Sequence, residues 1–240
     1  MRGITRTNYH ESMIETLHAA QRLPLSRRRL LGNSAKFAAG GVAAAAFVTP
    51  AALGFRSAMA QEFGGPVDVL NYALTLEHLE ATFYRTFNEE FGESDFADAE
   101  YGEAVYGRLV NIGEHEQAHV DTLIAVIGDL GGEPVEEAMY DFGVTDVNSY
   151  VATAGVLENL GTGAYTGAAQ FLIEEDELLT AALTIHGVEA RHAAYLNFLN
   201  GEVPFPEAFE TALTTEEVLA AATPLIVNAM PATGTGSSLD

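Results

Sequence analysis

Residues 109–123 read LVNIGEHEQAHVDTL, and this stretch decides the fold class. Its apolar residues return at steps of three and four, which is the period of one face of an α-helix. The same face carries two polar residues near its middle, Glu116 and His119. An unpaired carboxylate on a buried face costs several kcal/mol of folding free energy, so this placement needs an explanation.

The chain after residue 61 predicts helix almost throughout. Four long helices are predicted, Pro66 to Glu90, Glu100 to Leu130, Asn148 to Ala169 and Glu174 to Asn200, followed by a short one from Thr215 to Ala222. Glycines end the second and the fourth of these helices. The third helix carries Gly155, Gly161, Gly163 and Gly167. Each glycine costs about 1 kcal/mol relative to alanine, but small residues also permit the close approach of a neighbouring helix.

Every long helix carries one glutamate on its apolar face: Glu77, Glu116, Glu158 and Glu189. In the second and fourth helices a histidine, His119 or His192, follows three residues later. In the first and third helices a tyrosine, Tyr84 or Tyr165, follows seven residues later. The chain is therefore interpreted as two related helical hairpins.

Four carboxylates that face one core need positive charge beside them. Two divalent cations supply four positive charges, and a histidine three residues after a glutamate lies on the same helix face. Carboxylate and imidazole ligands without sulfur suit iron or manganese, whereas a calcium site does not need imidazole. The remaining acids, among them Glu80, Glu114, Glu174, Glu175 and Glu177, are expected on the surface. Of these, Glu80 is the one most able to take the place of Glu77, since it lies one helical turn away. His78, His115 and His186 lie off the apolar faces and are expected as surface or packing residues.

The charge is divided unevenly along the chain, whose net value is −23. Residues 61–240 hold 32 acids and three arginines, so they carry −29. This charge excludes ordinary nucleic-acid binding and argues against docking on an anionic membrane. The lack of cysteine excludes disulfides and thiol catalysis. A hydrophobic content of 48% argues against disorder. Acidic, lysine-free composition is typical of proteins from extreme halophiles, where salt screens carboxylate repulsion.

The first sixty residues resemble a twin-arginine export signal. Residues 26–31 read SRRRLL, a mildly apolar run covers Phe37 to Phe55, and Ala58-Met59-Ala60 forms a small-residue cleavage site. The resemblance implies export of an already folded protein to the cell envelope or the outside, with cleavage after Ala60. An uncleaved membrane anchor stays open as the alternative. Residues 206–240 are expected to hold the short helix and a flexible tail.

The glutamate and histidine pattern resembles the di-iron carboxylate bundles of the ferritin-like superfamily. Residues 68–84 (DVLNYALTLEHLEATFY), 158–167 and 188–193 (VEARHA) are similar to a secreted, ferritin-like domain family of bacteria and archaea. The similarity covers residues 67–199 and implies an all-α, ferritin-like four-helix bundle over residues 61–205. In such a bundle a long crossover joins helices two and three. Residues 133–147 would span ~50 Å at ~3.3 Å per residue, which is enough to cross it lengthwise.

The resemblance also implies the site and its chemistry. Two iron or manganese ions would be held by Glu77 and Glu158 as single ligands and by Glu116 with His119 and Glu189 with His192 as pairs. One or two of the carboxylates would bridge the ions. Tyr84 and Tyr165 would lie beside the ligands, or would be core aromatics with a satisfied hydroxyl.

Two functions remain open at this point. One is an oxidoreductase or ferroxidase that reacts with O2 or peroxide, and the other is a non-catalytic metal-binding or structural protein of the cell surface. A homo-oligomer is compatible with the sequence, whereas nothing in it indicates a storage cage.

Overall fold

The computed structural model describes residues 63–227, which form a bundle of four long helices. The long helices are α1 (Pro66–Glu90), α3 (Val105–Asp129), α4 (Val147–Ala168) and α5 (Asp176–Leu199), and the short ones are α2 (Glu93–Asp98) and α6 (Thr215–Ala222). Within these residues the only β-type pairing is an isolated bridge between Tyr140 and Ile226. The predicted all-α fold is confirmed.

Two predictions fall outside the part of the chain that the structure describes: the export signal with its cleavage site after Ala60, and the tail after Pro231. Among the helices of residues 63–227, none combines the length and the apolar composition of a membrane-spanning segment.

The helix ends follow the prediction except before α3. Helices α1 and α6 begin and end at the predicted residues, and Thr214 caps α6 by accepting a hydrogen bond from the Glu217 amide. The start of the second predicted helix at Glu100 is wrong, because Glu100 has a φ of 64° and breaks the helical path. A separate short helix, α2, precedes it. Phe96 of α2 is buried against Tyr101, Tyr106 and Tyr150, which fixes the break.

The helices pair as two hairpins, α1 with α3 and α4 with α5, and α1 also packs on α4. The segment between α3 and α4 runs back along α1. It begins beside Asn71, whose side chain bonds the Val135 amide and the Glu133 carbonyl. It ends where Phe142 packs on Phe87 near the other end of α1. The predicted lengthwise crossover is therefore confirmed.

The glycines of α4 mark close approaches of neighbouring chain. A Cβ on Gly155 would lie 2.7 Å from the Asn200 side chain at the end of α5. A Cβ on Gly167 would lie within 2 Å of the Leu213 carbonyl oxygen, and the Leu213 amide donates a hydrogen bond to the Gly163 carbonyl. The glycines that weaken α4 as an isolated helix thus let α5 and the segment before α6 pack against it.

Candidate metal centre

The four predicted glutamates meet near the middle of the bundle. One comes from each long helix, and each is 0% exposed: Glu77, Glu116, Glu158 and Glu189. His192 is buried with them, and the side chain of His119 is 12% exposed. The structure therefore brings together all six residues that the sequence suggested as ligands.

A first group consists of Glu77, Glu116, His119 and Glu189, which each offer one ligand atom within 4.8 Å of the others. At its centre, Nδ1 of His119 faces three carboxylates from three helices. It lies 3.2 Å from Oε2 of Glu77, 3.1 Å from Oε2 of Glu116 and 3.1 Å from Oε1 of Glu189.

A second group mirrors the first and consists of Glu116, Glu158, Glu189 and His192. Nδ1 of His192 lies 3.0 Å from Oε1 of Glu116 and 3.2 Å from Oε2 of Glu158. Glu116 and Glu189 belong to both groups, whereas Glu77 and Glu158 each belong to one. This sharing is the arrangement expected of two ions bridged by two carboxylates.

The two tyrosines cross between the hairpins. The Tyr84 hydroxyl on α1 donates a hydrogen bond of 2.6 Å to Oε1 of Glu158 on α4. The Tyr165 hydroxyl on α4 donates one of 2.5 Å to Oε1 of Glu77 on α1. Burial, reinforced by the neighbouring carboxylates, raises the pKa of both phenols well above the usual range, so both remain donors. Both are core aromatics with a satisfied hydroxyl, and each hydroxyl bonds one of the two unshared glutamates.

The carboxylates and histidines of the cluster shift one another's pKa values. Burial, followed by repulsion from Glu189, raises the pKa of Glu116 to about 7. Burial alone would lower the pKa of His119, but its contacts with Glu116, Glu189 and Glu77 raise that pKa to about 12. Burial alone would also lower the pKa of His192, but its contacts with Glu116 and Glu158 raise that pKa to about 10. The surrounding carboxylates therefore favour the protonated form of both histidines at neutral pH.

These protons do not satisfy the cluster. Oε1 of Glu116 and Oε1 of Glu189 each lie within about 3.1 Å of a histidine Nδ1 but form no hydrogen bond with it, and Oε2 of Glu189 is also buried without a hydrogen-bond partner. A histidine Nδ1 carries a single hydrogen and cannot serve three carboxylates at once. A divalent cation accepts several oxygen and nitrogen ligands together, and these donors suit iron or manganese. The residues present therefore fit a pair of such ions.

Glu80 was predicted on the surface, and this prediction is wrong. Its side chain is only 2% exposed and lies against Gly161, where a Cβ would come within 2.9 Å of Oε1 of Glu80. Burial, then repulsion from Glu189 and Glu158, raises its pKa well above the usual value. The sequence does contain a sign of this burial: Glu80 lies three residues after Glu77, and the matching position after Glu158 is Gly161, which has no side chain. In a chain with so many acids this difference is hard to recognise.

His115 was expected as a surface or packing residue, and its contact with the site was not foreseen. It is exposed, yet its Nδ1 lies 3.0 Å from Nε2 of His192 and the two rings stack with centroids 5.2 Å apart. The outer nitrogen of His192 is thereby held, as is common for metal-ligating histidines. The corresponding position before Glu189 is Val188, so only one half of the site has this contact.

The other off-face residues lie where they were expected. His78 packs with Nε2 3.1 Å from the Val135 carbonyl, and His186 lies 2.9 Å from the Thr166 hydroxyl. The remaining acids named above are exposed: Glu114, Glu174, Glu175 and Glu177.

Comparison with known proteins agrees with this architecture. The ferritin-like domain family matches residues 65–202, a span that contains all four long helices and all six clustered residues. No curated protein matches the chain. With more than half of its length matched, the chain belongs to the ferritin-like domain family.

Proposed function

We propose that this is an exported ferritin-like protein that binds two iron or manganese ions in its core and uses them as an oxidoreductase or ferroxidase toward O2 or peroxide. The observation that carries the proposal is the pair of shared glutamates, Glu116 and Glu189, which lie between the two histidines. Three of their four carboxylate oxygens are buried without a hydrogen bond. Such atoms are costly unless a ligand binds them.

Each ion would have two ligands of its own and would share two with the other. Glu77 and His119 would hold the first ion, Glu158 and His192 the second, and Glu116 and Glu189 would bridge them. Four carboxylates and two neutral imidazoles then balance two divalent charges. Binding requires both histidines to release their protons, which couples metal uptake to pH.

When bound, such ions supply one-electron chemistry toward O2 or hydrogen peroxide. In the ferroxidase form of the reaction Fe²⁺ is the substrate: O2 takes one electron from each of two Fe²⁺ ions and two protons, and leaves as hydrogen peroxide. The chain's own residues provide the geometry. The carboxylates would hold the two ions, the hydroxyls of Tyr84 and Tyr165 bond the unshared glutamates and would fix their orientation, and the buried position of the cluster would exclude bulk water.

Export is part of the proposal. The arginine-rich segment Ser26–Leu31, the apolar run after it and the Ala58-Met59-Ala60 site support a twin-arginine signal, and a core that must be filled before transport suits a route for folded proteins. The charge of −29 over residues 61–240 supports work in concentrated salt.

The test is metal content followed by turnover. The purified protein, loaded with Fe²⁺ without oxygen, is expected to bind about two ions per chain and to oxidise added Fe²⁺ under air faster than buffer does. Glu116→Ala and Glu189→Ala should lose both properties, while Glu114→Ala, on the same helix but exposed, should keep them. A folded protein that takes up no metal would contradict the proposal. Two bound ions without oxidation would favour the alternative, a non-catalytic protein in which the ions tie four helices together.

A further inference from the structure

The two hairpins differ at one matched position beside the site. Glu77 on α1 is followed three residues later by Glu80, and Glu158 on α4 is followed three residues later by Gly161. The missing side chain of Gly161 leaves room for a carboxylate. A Cβ there would lie 2.9 Å from Oε1 of Glu80 and 3.4 Å from Oε2 of Glu189. The carboxylates of Glu80 and Glu189 therefore both lie close to Gly161.

Glu80 has acidic neighbours and no cation. The charges that act on it come from Glu189, Glu158, Glu116 and Glu77. No salt bridge found within residues 63–227 involves Glu80. Arg85 binds Glu137 on the surface, and Arg108 lies over the Tyr195 ring. A buried carboxylate with four acidic neighbours and no cation beside it costs folding free energy.

We propose that Glu80 is a seventh protein ligand of the metal centre, seated against Gly161 and serving the ion held by Glu158 and His192. The inference rests on the proposed metal centre and deepens it. The choice of ion follows from placement, since Gly161, against which the Glu80 carboxylate lies, comes one helical turn after Glu158, and Glu158 belongs to the second group alone.

A seventh ligand makes the two ions unequal. Five carboxylates face two divalent charges, and the additional one comes only from α1, because the α4 counterpart is glycine. The second ion also lies beside His192, the histidine whose outer nitrogen contacts His115. The matched halves of the sequence therefore build one ion site with more protein ligands than the other.

Titration with Co²⁺ tests this, because its visible absorption reports coordination number. Wild-type protein should bind two ions. Glu80→Gln should weaken one of them by about 10- to 100-fold and change its spectrum, leaving the other unchanged. Gly161→Ala should weaken the same ion, since its Cβ displaces the Glu80 carboxylate. Glu89→Gln, an exposed acid on the same helix, is the control and should match wild type.

Two further readouts separate a ligand from a packing residue. Metal-free Glu80→Gln should unfold at a temperature no lower than that of wild type, whereas a packing residue would lose stability with and without metal. In a His192→Ala background Glu80→Gln should have no further effect, but in a His119→Ala background it should weaken the remaining ion. Wild-type affinities and spectra in both Glu80→Gln and Gly161→Ala would overturn the inference while two ions still bind. A wild-type protein without core metal would instead refute the metal centre itself.

Discussion

Glu116 and Glu189 are the residues at which the two halves of the site meet. Each comes from the middle of a long helix, and each contributes to both groups of candidate ligands. In each group a histidine and an unshared glutamate join them. The first group adds His119 and Glu77, and the second adds His192 and Glu158. Because these contacts come from all four long helices, small displacements of any helix would alter the site.

The tyrosines give a prediction at this scale. Tyr84→Phe removes the hydrogen bond to Glu158 and is expected to weaken the second ion by about 10- to 100-fold, while Tyr165→Phe should weaken the first through Glu77. Calorimetric metal titration of both variants measures this. Tyr106→Phe, whose hydroxyl bonds the Asn88 carbonyl away from the site, is the matched control. Unchanged affinities in both variants would remove the tyrosines from any role in the site.

At the scale of the elements, α4 depends on its glycines. Isolated, it is a poor helix, but the segment before α6 packs so closely on it that a Cβ at Gly167 would overlap the Leu213 carbonyl. The packing of the two helices in each hairpin also determines whether the clustered glutamates meet. A glutamate in the middle of one helix reaches the glutamate of the other only when the helices pack side by side over most of their length.

Alanine substitutions at one glycine of α4 and one glycine of α5 are expected to have opposite effects on stability. Gly167→Ala should destabilise the protein by about 1–3 kcal/mol or more through overpacking. Gly187→Ala, in the middle of α5 with no atom within 4 Å of its Cβ position, should stabilise it by up to about 1 kcal/mol. Urea unfolding of both variants decides between them. If Gly167→Ala were as stable as Gly187→Ala, the close packing before α6 would not exist in solution.

The sequence predicted most of the elements because long apolar faces of period 3.6 fix where helices lie. It missed α2, since the burial of Phe96 among three tyrosines depends on α4, which lies far along the chain. It selected six residues that the structure brings together, because each interrupts an apolar face. It misplaced Glu80 because the space that accepts its carboxylate belongs to a glycine on another helix. His115 was missed for the same reason, as its partner His192 comes from α5.

At the scale of the whole molecule, charge governs stability in two ways. The clustered acids and histidines in the core bind protons or metal, so they make stability depend on pH and on metal. The acids on the surface repel one another, so they make stability depend on salt. The two can be measured separately, because the first responds to pH near neutrality and the second to ionic strength.

The metal-free protein is expected to lose stability as pH rises from about 6 to 9. The folded pKa values of His119, about 12, and His192, about 10, exceed the ordinary 6.5, and that of Glu116, about 7, exceeds 4.5. Folded protein therefore holds more protons than unfolded protein over this range, and each extra proton lowers stability by about 1.4 kcal/mol per pH unit. Urea unfolding without metal at several pH values measures the slope. Metal should reverse its sign, because protons compete with the ions; a metal-free stability that rises with pH would show that the cluster is not protonated.

Salt should stabilise the protein. With −29 on residues 61–240, repulsion between surface carboxylates opposes folding, and the Debye length falls from ~10 Å at ~0.1 M salt to ~3 Å at ~1 M. The unfolding temperature is expected to rise over this range in KCl, measured by circular dichroism on metal-free protein. An equal concentration of sucrose, which does not screen charge, controls for general solvent effects. A flat or falling temperature would argue against adaptation to high salt.

The most direct test of the metal centre is a crystal structure of the protein loaded with Mn²⁺, with anomalous scattering recorded to locate the ions. Two anomalous peaks are expected in the core, one beside Nδ1 of His119 and one beside Nδ1 of His192, with Glu116 and Glu189 contacting both. A loaded crystal with no peak among these residues, or with ions only on the acidic surface, would contradict the proposed metal centre.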